Sequence, residues 1–101
     1  MKVYEGGRGL AGAQVTVNGA PLDPRFDVRR FSPAGFEWTY VGDGPRQLAL
    51  AILCDHLGDE QRALALTEAF MREVVAELDN GWELTSADID EALARLGAAA
   101  R

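Results

Sequence analysis

The six residues Gly42-Asp43-Gly44-Pro45-Arg46-Gln47 bring a glycine-rich turn, a carboxylate, a guanidinium and an amide together at the expected start of a helix. Unpaired backbone N–H groups and the positive end of the helix dipole make such a start able to hold an anion. Trp38 and Tyr40 stand just before it and supply flat aromatic faces for stacking. These features make Trp38, Tyr40, Asp43, Arg46 and Gln47 the candidate ligand or partner surface. The spacing matches neither the phosphate-binding loop of nucleotide hydrolases nor the dinucleotide fingerprint. Asp43 also brings its own negative charge to the helix start, where it serves as a cap and repels an anion. Capping is therefore the simpler use of Asp43, and core packing the simpler use of the aromatics.

Other reactive types are scattered. His56 is the single histidine and follows Asp55 near the end of an apolar run, where neighbouring helix positions point apart. Cys54 is the single cysteine, so no internal disulfide can form, and it reads as a small buried filler. One His and one Cys two positions apart do not converge on a metal, and no metal site or cofactor is expected. Asp79, Asp88, Asp90 and Glu91 lack the alternating ligands and central glycine of a calcium loop, and the last three suit a helix first turn. Arg25, Arg29 and Arg30 form the one local basic cluster, available for surface ion pairs or a small anionic contact. No catalytic constellation emerges.

Composition narrows the classes further. The 101 residues carry a formal charge of −6, with nine arginines and one lysine against 16 acidic residues. Nucleic-acid binders present a basic face, so direct nucleic-acid binding is not expected. An acidic surface keeps a protein soluble and suits a partner with a basic groove. No apolar run is long enough for a membrane span and no leader is recognisable, so a cytoplasmic location is expected, in one domain spanning 1–101.

The elements that must position these residues read as α+β: a small antiparallel sheet packed on three helices. Lys2–Glu5 alternates as a strand, Gly6–Gly9 reads as a flexible loop, and Gln14–Val17 is a second strand. Asn18-Gly19 marks a tight hairpin turn, with Pro21-Leu22 as the return strand. The segment 23–33 reads as an irregular connection. Phe36, Trp38 and Tyr40 alternate with Glu37 and Thr39, which predicts a strand with three aromatics on one face. A helix over Pro45–Leu57, apolar on every side from Leu48 to Cys54, should be the most buried. Gly58 stops it and Asp59 caps the next, expected over 60–79 with Glu68 and Arg72 paired. Thr85–Asp88 resembles a capping box opening a third helix, which Gly97 closes; 97–101 is expected to fray.

Phe36, Trp38, Tyr40, Gly42, Gly44, Pro45, Gln47, Leu48 and Ala49, with Trp82-Glu83-Leu84-Thr85, resemble domain of unknown function 6166, a family of small bacterial, archaeal and phage proteins. Its pattern runs Phe-x-Trp-Gly-Tyr-x-Gly-Ser-Gly-Pro-x-Gln-Leu-Ala, and the likeness extends from Tyr4 through the last helix. Thr39 stands where the pattern has Gly, and Asp43 where it has Ser. The resemblance implies a shared fold and a link to mobile elements, and brings no activity. A non-enzymatic protein-interaction module follows as the expected function, as an accessory protein or an inhibitor of a host system such as defence. The alternatives are a small-ligand protein or enzyme with its site at Trp38–Gln47, and a homo-oligomeric structural protein. A protein partner and a monomer or small homo-oligomer are expected.

Overall fold

A computed structural model describes residues 1–99. Four antiparallel strands and three helices follow in the order β1 (Val3–Gly9), β2 (Gly12–Val17), β3 (Ala20–Pro21), α1 (Asp43–Leu57), α2 (Glu60–Glu73), a short 3-10 helix (Val75–Glu77), β4 (Trp82–Thr85) and α3 (Ser86–Ala99). The sheet order is β3-β2-β1-β4. The fold is thus of the α+β class.

The hairpins follow from their turn residues. Asn18 and Gly19 take φ of 49° and 84°, the left-handed pair that a two-residue hairpin turn requires. The β1–β2 register, Tyr4 opposite Val17 and Gly6 opposite Val15, sends Tyr4 and Val15 into the core. Gly6–Gly9 is not a loop, because β1 continues through it, paired on both sides up to Gly6. Gly6 is glycine for a packing reason: a Cβ there would lie 2.3 Å from the Trp82 indole.

The largest correction concerns 36–40, which forms no strand. Thr39 has φ +81°, and one left-handed residue between Trp38 and Tyr40 breaks the alternation that would put both on one face. Trp38 is fully buried, Phe36 is half-buried and Tyr40 is exposed. The fourth strand comes instead from Trp82–Thr85, which pairs with β1 through Val3–Thr85 and Gly6–Trp82.

Helix α1 begins two residues before the expected start. Pro45 is its third residue, still among the positions whose N–H has no intrahelical acceptor, so the proline removes nothing. Every residue from Gln47 to Cys54 is buried, which makes α1 the most buried of the three helices. Gly58 closes it at φ 65°, its N–H bonded to the Cys54 carbonyl, and the Asp59 side chain accepts from Arg62 N. Helix α2 stops at Glu73 and tightens into the 3-10 turn, short of the expected end at 79. Thr85 and Asp88 exchange side chain-to-backbone hydrogen bonds of 3.2 and 2.9 Å, a complete capping box for α3. Gly97 does not end α3, which runs on to Ala99; residues 100 and 101 of the expected frayed tail lie outside the described residues.

Candidate functional site

The five candidate residues divide between interior and surface. Gln47, wholly buried on α1, uses its full hydrogen-bonding capacity inside the protein. Its Oε1 accepts from Phe31 N at 2.7 Å and Ser32 N at 3.2 Å, and its Nε2 donates to the carbonyls of Pro24 at 2.6 Å and Arg29 at 3.0 Å. A helix side chain thereby substitutes for a strand, holding the irregular segment 24–32 against the core. Nothing of it is left for a ligand.

Arg46 is committed as well. Its guanidinium grips Glu68 of α2 with two bonds, 2.7 and 3.2 Å, and reaches Asp43 at 3.0 Å. Arg72 meets the same Glu68 at 2.7 Å, so the expected pair forms and Arg46 joins it. Hydrogen bonds from Arg46 and then Arg72 hold the Glu68 carboxyl down to about 2. Asp43 is not the cap: Gly42 occupies that position without a side-chain bond, and Asp43 in the first turn serves the dipole and Arg46.

Trp38 is a core residue. Its indole N–H donates to the Asn80 carbonyl at 3.1 Å, its ring meets Trp82 edge-on at 5.8 Å, and the Arg8 guanidinium lies 4.5 Å above it. Arg8 also bonds Glu37, Asn80 and the Trp38 carbonyl, closing the cluster where the hairpin meets the 36–41 segment. The composition gave no sign of this role for Arg8, because its partners lie about 30 and 70 residues away in sequence.

Tyr40 and Val41 remain. They are 49% and 47% exposed, at the turn leading into α1. The turn is held firmly: Thr39 N donates to the Val75 carbonyl at 3.2 Å, and the Tyr40 ring lies so close over Gly42 that a Cβ there would stand 2.6 Å from it. Gly44 is equally constrained, with Glu37 Cβ 2.7 Å from where its own Cβ would be. The glycines of the motif thus admit neighbouring side chains rather than a phosphate.

The arginine cluster does not act together. Arg25, itself left-handed at φ 57°, is locked to Asp27 and Glu60. Arg29 lies 5.8 Å from the Phe31 ring and Arg30 lies 4.5 Å from the Phe26 ring. Among the described residues, no group of three His, Cys, Asp or Glu side chains could hold a metal. His56 bonds Asp90 of α3 at 2.6 Å rather than its neighbour Asp55. Cys54 is buried, and burial pushes its thiol up.

Residues 4–95 match the Family of unknown function (DUF6166). The chain belongs to this family. No curated protein and no solved structure matches it. Thr39, which stands where the resemblance implies Gly, takes φ +81°, where a β-branched residue is strained. Thr39→Gly is expected to stabilise the protein by about 0.5–1 kcal/mol, the relieved strain outweighing the added unfolded-state entropy. That corresponds to a melting temperature about 2–8 °C higher by calorimetry. A lower melting temperature would show that the threonine is not strained.

Asp55, absent from the candidate surface, accepts from Tyr4 Oη at 2.6 Å and from Lys2 Nζ at 3.0 Å. Burial works to raise its carboxyl, but those two bonds and the Lys2 and His56 charges outweigh it and hold the carboxyl below the ordinary range. Burial first, and then Asp55, raise the Tyr4 phenol far above its usual value. The neutral phenol therefore contributes stability that is complete below about pH 10 and is lost as the pH rises through the raised value. Tyr4→Phe should be less stable than the parent at pH 8, and the gap should narrow above pH 10 in urea unfolding. A constant gap would assign the difference to packing.

Proposed function

We propose that the protein is a non-enzymatic interaction module whose Tyr40–Val41 turn meets a protein partner. The observation that carries this reading is the exposure of two large apolar side chains on a turn fixed by Thr39, Gly42 and the Val75 carbonyl. A solvated turn has no need of an aromatic residue, whereas a rigid aromatic that loses little entropy on docking suits an interface. The internal commitments of Arg46 and Gln47 count against the small-ligand alternative. The charge of −6 favours a basic partner surface, and an accessory or inhibitory role against a host system in a phage or mobile element is compatible with such a module.

The test is a Tyr40→Ser/Val41→Ser double variant. We expect it to stay folded and to lose about 1–2 kcal/mol, because the half-exposed Tyr40 ring packs over Gly42. It should lose a partner that the parent retains from extracts of source cells at low salt and releases as salt is raised. Equal retention by variant and parent would overturn the assignment of this turn.

A further inference from the structure

A hollow of about 320 Å³ opens between the β2–β3 hairpin and α1, lined by Val17, Pro21, Leu22, Asp23, Arg25, Ala51 and Asp55. It lies at the opposite end of α1 from the Tyr40–Val41 turn: Asp43 and Asp55 are separated by roughly 18 Å of helix. Its floor is apolar, with Leu22 and Ala51 buried. Its rim is polar and carries both signs, but the signs are unequal. Arg25 is gripped by Asp27 through two bonds and by Glu60 as well, so its charge is more than neutralised. Asp55 takes both of its partners on Oδ2, and Asp23 accepts Arg25 N on Oδ1. One oxygen of each carboxylate is thus left without a hydrogen bond among the described residues.

We propose that this hollow receives an alkylammonium group. The apolar flank formed by Val17, Pro21 and the edge of Leu22 covers the methylenes, and Asp23 and Asp55 at the rim accept the ammonium protons. An anion is disfavoured, because the one guanidinium of the lining, Arg25, is already paired with Asp27 and Glu60, and Lys2 is paired with Asp55, which leaves the Asp23 carboxylate without a cationic side chain of its own among the described residues. The left-handed Arg25 shapes the wall: Asp23 caps its N–H, while its carbonyl accepts from Val28 and Arg29. The same chemistry is presented by a lysine side chain of a partner and by a free amine.

The purified chain is titrated by amide NMR with n-butylammonium chloride and with the blocked peptide acetyl-Ala-Lys-Ala-amide, against sodium chloride at equal ionic strength. We expect saturable shifts at Leu22, Asp23, Ala51 and Asp55 at about 1–10 mM amine, with none from the salt. Asp23→Asn, and separately Asp23→Asn/Asp55→Asn, should weaken binding about tenfold or more; the first variant leaves the Tyr4–Asp55 bond in place. Binding of both probes, with the peptide tighter, would assign the site to a partner lysine. Binding of the amine alone would assign it to a free amine. No saturable shift from either probe, or unchanged affinity in both variants, overturns the proposal. Because no partner is needed, this failure is separable from loss of the Tyr40–Val41 interface.

Discussion

Gln47→Leu is expected to destabilise the protein by about 2–4 kcal/mol. Four hydrogen bonds disappear, each worth about 0.5–1.5 kcal/mol net, and the leucine regains some of that through apolar burial. The partners do not fare equally. Ser32 is buried, so its N–H is left without water or acceptor, whereas the Pro24 and Arg29 carbonyls on the surface segment can rehydrate. Urea unfolding should show the midpoint lowered with little change in slope. Amide exchange should quicken first at Phe31 and Ser32, because the segment 24–32 loses its tether before the helices do. A loss under 0.5 kcal/mol with Phe31 and Ser32 still protected would mean that the segment holds itself. Gln47 serving a ligand instead would show unchanged stability and lost binding.

The residues that announced themselves correctly did so through local chemistry. Asn18-Gly19 needs no distant partner to prefer a left-handed turn, and Gly58-Asp59 and Thr85–Asp88 act within one helical turn. The unbroken apolar run of α1 is its own evidence of burial. The misread segments depend on contacts far along the chain. Phe36–Tyr40 has the alternation of a strand, and only the tether to Val75 and the conformation of Thr39 exclude one. Gly6–Gly9 has the composition of a loop, yet the Trp82 ring, arriving from more than 70 residues away, is what Gly6 accommodates. The candidate site was half legible for the same reason. Trp38 was expected to belong to the core and does, while its partners Arg8, Asn80 and Trp82 come from other elements. A buried glutamine looks like a binding residue in sequence because the backbone groups that saturate it belong to an irregular segment with no pattern to read.

That accommodation makes Gly6→Ala the second large effect, with an expected loss of about 3 kcal/mol. Alanine suits a strand better than glycine by roughly 0.5–1 kcal/mol, so at an open position the change would stabilise. Here the new methyl would fall 2.3 Å from two atoms of the Trp82 indole and 2.6 Å from a third, well inside contact distance. The ring has little freedom to yield. Trp82 is 9% exposed, stands edge-on to the fully buried Trp38, and is fixed by the β1–β4 register that places Gly6 opposite it. Overpacking of this kind costs about 1–3 kcal/mol, and more where the neighbour is rigid. A double-mutant cycle isolates the cause. Trp82→Leu destabilises alone, but with the ring gone Gly6→Ala should then cost less than about 0.5 kcal/mol, a coupling of roughly 2.5 kcal/mol. Additive losses would place the penalty in the backbone of β1 rather than in the indole. The indole N–H of Trp82 has no partner among the described residues, which leaves the fit to Gly6 and Trp38 as the reason for a tryptophan there.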